Sequence, residues 1–235
     1  MGRFKAVVFD LDGTLIDSAP DLLTAANKLL AEEGRPAIGV DHIKLMVGDG
    51  VPKLVERAFT ATGGLAEGDL PRLAARFLDF YEGHAADETR PYPGVEAALE
   101  GLKTGGFKLA VCTNKPHAAT LEILEALGLA PYFDVVVGGD SLPGIKKPDP
   151  RHVLACVEAL GADATDALLV GDSQVDVQAG RAAGLPVIAA AHGYARMPPE
   201  QLGADLVLED FARLPEVVAG LVGDVSMSAR PESED

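Results

Sequence analysis

The chain has 235 residues, of which 48% are hydrophobic, 24% charged and 5% aromatic, with no Trp. That is enough for one large domain or a core with a smaller insert. A formal net charge of −16 argues against binding a nucleic-acid backbone, which needs clustered Lys and Arg, and no apolar run approaches the roughly 20 residues of a membrane span.

The first element is a short apolar strand, Lys5 to Phe9, running into Asp10-Leu11-Asp12-Gly13-Thr14. In an extended chain Leu11 points away from its neighbours, so Asp10 and Asp12 project to one side, and Gly13 lets the chain turn. From about Ser18 to Thr89 no strand-like run occurs. Helices are expected near Pro20–Glu33, His42–Met46, Pro52–Thr60 and Leu70–Ala86, with Leu22, Leu23, Ala26, Leu29 and Leu30 at helical spacing for packing. From about Arg90 strands and helices alternate: helix Val95–Lys103, strand 107–112, helix His117–Leu127, strand 135–138, helix Arg151–Leu160, strand 167–170, helix Val175–Ala183, strand 186–190, a short strand 205–208 and a last helix near Phe211–Leu221. That alternation implies an α/β fold, a parallel sheet with helices on both faces. Residues 223–235 lack a hydrophobic face and read as a disordered tail. Cys112 and Cys156 sit among apolar neighbours without metal-ligand spacing. They read as buried, reduced thiols, and with no signal peptide in residues 1–9 they suggest a cytoplasmic protein.

In open α/β sheets ligands bind beyond the carboxyl ends of the strands, and there the chain places its chemistry. The first strand ends in Asp10-x-Asp12, the next core strand in Thr113-Asn114-Lys115-Pro116. A third leads to Lys146-Lys147-Pro148, and a fourth runs into Gly171-Asp172-Ser173-Gln174-Val175-Asp176. Two acids, a hydroxyl, a lysine and a second acidic pair thus arrive at successive strand ends. Taken separately, each has a plainer explanation: a solvated strand end for Asp10 and Asp12, a helix cap for Thr113, a first-turn helix residue for Asp176.

The ordered set resembles the haloacid dehalogenase-like superfamily in its phosphatase branch, over roughly residues 4–222. The resemblance implies a Rossmann-like core (1–15 and 90–222) and an inserted all-helical cap domain (16–89), hinged at Gly13–Ala19 and Asp87–Gly94. It also implies a Mg²⁺-dependent phosphatase acting on a small phosphate monoester through an aspartyl-phosphate. Asp10 would be the nucleophile, and Asp12 the acid for the leaving oxygen and the base for the attacking water. Thr113 and the Asn114 backbone would bind phosphate, and Lys147, which precedes a proline, would neutralise phosphate and nucleophile. Mg²⁺ would be held by the Asp10 and Asp172 side chains and the Asp12 carbonyl, with Asp176 behind them. Lys146, Lys53 and Arg57 read as solvated, and no histidine is given a role.

The stretches Leu15–Leu22 and Met46–Gly50 are most similar to bacterial phosphoglycolate phosphatases. They suggest 2-phosphoglycolate as substrate, with Gly50 in a substrate-binding cap loop and Asp49 turned aside. Asp12 speaks against a dehalogenase, because a halide needs no proton. Another phosphate ester, pyrophosphate or a sugar phosphomutase reaction stays open, and so do monomer and homodimer. A non-catalytic binding module on the same fold is the weakest alternative.

Overall fold

A computed structural model describes residues 4–224. In chain order the elements are β1 (Ala6–Phe9), β2 (Ile16–Asp17), α1 (Ala19–Glu32), α2 (Val40–Lys44), α3 (Val51–Ala61), α4 (Leu70–Tyr81) and β3 (Arg90–Pro91). They continue with α5 (Val95–Thr104), β4 (Lys108–Cys112), α6 (His117–Ala126), β5 (Val135–Val137) and α7 (Pro150–Ala159). Last come β6 (Ala167–Gly171), α8 (Gln174–Ala183), β7 (Val187–Ala190), β8 (Leu206–Leu208) and α9 (Leu214–Asp224).

Six strands form a sheet of order β5-β4-β1-β6-β7-β8, parallel throughout. Strand alternation sorts its side chains into two cores. Val7, Phe9, Leu109, Val111, Leu168 and Val170 pack on one face with α5, α6 and α9. Ala6, Val8, Ala110, Cys112, Leu169 and Val187 pack on the other with α7 and α8. Cys112 and Cys156 are buried free thiols of that second core. No described helix is long and apolar enough to cross a membrane.

Register fixes where the chemistry lands. Phe9 pairs with Val111 on one side and Val170 on the other, so Asp10, Thr113 and Asp172 emerge at one edge of the sheet. The α1–α4 block, inserted after β1, shares the first core through Leu22, Ala26, Leu29, Leu54 and Phe77.

Three differences from the sequence reading have local causes. The helix expected over 70–86 ends at Tyr81, because Glu82 is extended and Gly83 takes φ 72°. Ile16–Asp17 and Arg90–Pro91 pair as an antiparallel ribbon inside the two expected hinge segments; two-residue strands carry no periodicity to read. Finally, Gly223 and Asp224, expected in a tail, belong to α9, which begins after a 3₁₀ turn at Phe211–Arg213. The rest of that tail, 225–235, lies outside the described residues.

Candidate active site

β1 stops at Phe9, and the Asp10 amide makes one more bond, to the Val170 carbonyl at 2.9 Å. Asp10 is therefore anchored at the sheet edge and is only 5% exposed. Asp12 follows after Leu11, which is buried away from the site, and Gly13 turns the chain at φ 86°. Both carboxylates line one small cavity with Thr113, Asn114 and Lys115 of the core and Gly50 and Tyr81 of the helical block. The cavity measures about 30 Å³, the room of one or two waters. The helical block touches the core beside the strand ends, through Gly48 O on Asn114, Asp49 O on Lys146 and Leu45 O on Arg196.

Lys147 is buried and donates to Asp10 Oδ1 at 2.8 Å and Asp176 Oδ1 at 2.6 Å. Asp10, Asp172 and Asp176 each bring a carboxylate oxygen within 4.8 Å of the other two. Burial pushes the Asp10 carboxyl up to about 6 against the pull of Lys147, with Asp176 and Asp12 adding to the rise. Burial, then Asp176 and Asp10, drives Asp172 well above the ordinary carboxylate range. Burial works against the Lys147 ammonium as well, but the charges of Asp10 and Asp176 outweigh it and raise its pKa. Three buried acids thus stand together, and the one lysine among them pairs with two, Asp10 and Asp176. The surplus of oxygen donors and negative charge fits a hard divalent cation.

Asp172 is tightly held. Its Oδ1 accepts from Thr14 Oγ1 at 3.0 Å and its Oδ2 from the Tyr194 amide at 2.6 Å. Gly13 and Gly193 press on it so closely that a Cβ on either would fall 2.4 Å or less from an Asp172 atom. Asp176 fills both roles that its position allows. Oδ1 takes Lys147, while Oδ2 accepts from the Ser173 amide at 3.1 Å and its hydroxyl at 2.6 Å, as a capping-box acid does. Sequence reasoning placed it behind the metal ligands, orienting metal-bound water or Lys147; it does hold Lys147, and it also stands within the acidic group.

The Asp12 carboxylate stands outside that group. Lys115 donates to its Oδ1 at 3.0 Å and Oδ2 at 3.3 Å, and Ser18 Oγ donates to Oδ1 at 2.5 Å. Lys115 is buried, with its ammonium 4.8 Å from the Tyr81 ring centre. Burial opposes its charge, and the attraction of Asp12 more than restores it, so its pKa is raised. Neither Lys115 nor Ser18 was singled out from the sequence. Their partner lies 103 and 6 positions away, and only the β4–β1 pairing brings Lys115 to Asp12.

Thr113 is not a helix cap, since α6 begins at His117 with Pro116 before it. Its amide continues the sheet bonding to Val137, and its hydroxyl accepts from the Lys115 amide at 3.2 Å. The Asn114 side chain, given no role beforehand, donates to Gly48 O of the helical block at 3.0 Å and to Lys147 O at 2.9 Å. Lys146 is exposed, as expected, and its ammonium also reaches Asp49 O at 2.8 Å. Arg57 is not part of a solvated face. It donates to Met46 O and pairs with Asp49 at 2.5 Å. Lys53 does face solvent, paired with Glu56. Arg196, unremarked in the sequence, joins Asp49 from the core at 3.0 Å and binds Leu45 O and Val47 O. Asp49 is turned aside by these two arginines rather than by capping α3, whose N-cap is Gly50 at φ 89°.

The haloacid dehalogenase-like hydrolase family model matches residues 7–190. Phosphoglycolate phosphatase of Caulobacter vibrioides is 45% identical over 217 residues, 92% of this chain and 91% of its own. Phosphoglycolate phosphatase of Nitrosospira multiformis is 48% identical over 192 residues, 81% of this chain and 84% of its own. A solved structure described as a predicted phosphoglycolate phosphatase of Haemophilus somnus superposes with a TM-score of 0.86 at 34% identity, covering 92% of this chain and 99% of that one. With a parallel sheet that delivers Asp10, Thr113, Lys147 and Asp172 to one edge and relatives matched over most of its length, the chain belongs to the haloacid dehalogenase-like hydrolases.

Proposed function

We propose that this hydrolase is a Mg²⁺-dependent phosphatase for a small phosphate monoester, with 2-phosphoglycolate, converted to glycolate, as its preferred substrate. The observation that carries the reading is the pair of strand-end aspartates with different surroundings in one cavity. Asp10 is buried against Lys147, and Asp12 is two residues on, beside but outside the acidic group. Asp10 attacks phosphorus, and the phosphoryl group passes from the ester oxygen to its carboxylate. Asp12 gives a proton to the departing oxygen, then takes one from the water that attacks the aspartyl-phosphate and frees Asp10. Thr113 and the Asn114 backbone are the phosphate donors in this reading. Lys147 holds Asp10 in place and offsets charge on the phosphoryl oxygens. Asp10, Asp172 and the Asp12 carbonyl would hold Mg²⁺, with Asp176 on Lys147 beside them; the ion would supply positive charge to offset that of the carboxylates and the phosphate.

Residues 16–89 act as a cap in this reading. The block opens on the Ile16–Asp17 and Arg90–Pro91 ribbon to admit the ester and shuts over it. The relatives named phosphoglycolate phosphatase support the substrate assignment. A sugar phosphomutase needs a second phosphate site, yet Arg57 and Arg196 are both spent on Asp49 and backbone. Turnover is to be measured with Mg²⁺ and with chelator on 2-phosphoglycolate, glucose phosphates, pyrophosphate and p-nitrophenyl phosphate. The highest kcat/KM on 2-phosphoglycolate is expected, lost on chelation and restored by Mg²⁺. A clear advantage for a hexose phosphate or pyrophosphate would overturn the substrate assignment.

A further inference from the structure

The geometry points to Lys115 as the residue that selects the substrate: its ammonium receives a carboxylate borne on the carbon next to the ester oxygen, exchanging Asp12 for it. This rests on the phosphatase reading above and names the chemical class that the site favours, 2-phosphocarboxylates.

Among the described residues no other Lys or Arg lines the cavity. Lys147 is held by Asp10 and Asp176, Lys146 by Asp49 O, Lys44 by Asp17, Lys53 by Glu56, and Arg57 and Arg196 by Asp49. A second anionic group on the substrate therefore has Lys115 to meet. The position suits one spacing. The leaving oxygen faces Asp12, and the Lys115 ammonium lies one hydrogen bond beyond, 3.0 Å from Asp12 Oδ1. In a 2-phosphocarboxylate a single carbon separates the ester oxygen from the carboxylate, so the acid arrives beside that ammonium.

The exchange suits the buried surroundings. Lys115 has 3% side-chain exposure, and an ammonium left there without an anion would be costly; trading one carboxylate for another avoids this. The same trade bears on Asp12. In this structure both of its oxygens accept hydrogen bonds from Lys115 and Ser18. When Lys115 turns to the substrate, Asp12 is open to the leaving oxygen. Tyr81, whose ring stacks on the ammonium from the helical block, keeps Lys115 in place while its partner changes.

The test compares 2-phosphoglycolate with 2-hydroxyethyl phosphate, in which a hydroxymethyl group replaces the carboxylate. Lys115→Gln is expected to cut the kcat/KM ratio of the two by about 10- to 100-fold, the usual worth of a charged hydrogen bond, and Lys115→Arg to keep most of it. An unchanged ratio in Lys115→Gln, with both substrates losing equally, would overturn the assignment and leave Lys115 as a positioning residue for Asp12. Because Lys115→Gln removes a buried partner and can weaken the fold, a second measurement uses the unaltered protein. Calorimetry with Mg²⁺ compares 3-phosphonopropanoate with propylphosphonate, whose methylene in place of the ester oxygen blocks turnover. Binding of the carboxylate at least about tenfold tighter is expected, and equal affinities would overturn the proposal. Absence of turnover on every ester would instead defeat the phosphatase reading, and the phosphonate pair would still judge Lys115.

Discussion

Asp10 and Asp12 stand two residues apart, each with a buried lysine, yet they belong to different kinds of site. Asp10 shares Lys147 with Asp176 and neighbours Asp172. All of these come from the sheet edge of the core, and negative charge is in excess. Asp12 has Lys115 largely to itself, a hydroxyl from Ser18 at the start of the inserted block, and Tyr81 of α4 behind the lysine. The first arrangement is short of positive charge and rigid, and suits a cation and a phosphoryl group. The second is balanced and spans core and block, and suits a proton donor.

The largest expected effect breaks the first site. Asp10→Asn should cost about 10⁴-fold or more in turnover, yet raise the melting temperature of the metal-free protein, because burial penalises the charge it removes. A variant that keeps its activity, or melts lower without metal, contradicts the assignment of surplus charge. Asp12→Ala comes next. It should lose about 10²–10⁴-fold on an alkyl phosphate and far less on p-nitrophenyl phosphate, whose leaving group scarcely needs a proton; equal losses would erase the distinction between the two aspartates. Gly193→Ala drives a Cβ to within 2.1 Å of Asp172 Cβ. Titration of activity with Mg²⁺ should then need about 10- to 100-fold more metal, with the alkyl-to-aryl preference unchanged.

Acidity sharpens the comparison further. The Asp10 carboxyl moves from 3.8 to about 6 on folding. Between those values the folded chain holds more protons than the unfolded one, so this group's contribution to stability falls as pH rises through the window. Melting with chelator and with Mg²⁺ should show the ion stabilising more near neutral pH than below pH ~4. The smallest effects belong to the exposed ties between core and block. Arg196→Ala and Lys146→Ala should each shift stability by about 1 kcal/mol or less and raise KM a fewfold, visible in steady-state kinetics and absent from the Mg²⁺ titration.

The sheet was legible because most core strands are apolar runs ended by a glycine, a hydroxyl or an acid, and Asp10 and Asp172 sit just past two of those ends. What escaped was whatever depends on a partner far along the chain. Lys115 follows Asn114 in a stretch that reads equally well as a loop, and only the placing of β4 beside β1 turns it onto Asp12. Arg196 lies in a loop without periodicity, and its three contacts all lie in 45–49. Gly193 gave no turn signal of its own; its reason is the closeness of Asp172. The Asn114 side chain was passed over because attention went to its backbone, and it proves to tie the helical block to the segment bearing Lys147.

One feature of the hinge reaches beyond catalysis. Ile16 lies opposite Pro91 and Asp17 opposite Arg90, so the chain leaves the core and returns to it through a gap one strand spacing wide, about 4.8 Å. Asp21 clips the return, accepting from the Glu88 and Thr89 amides and the Thr89 hydroxyl. Seen from the six-stranded sheet, residues 18–89 occupy the place of a hairpin turn. A graft of another helical block, or a short loop in its stead, would leave the register of β1 with β4 and β6 untouched, while taking from Asp12 and Lys115 the hydroxyl of Ser18 and the ring of Tyr81.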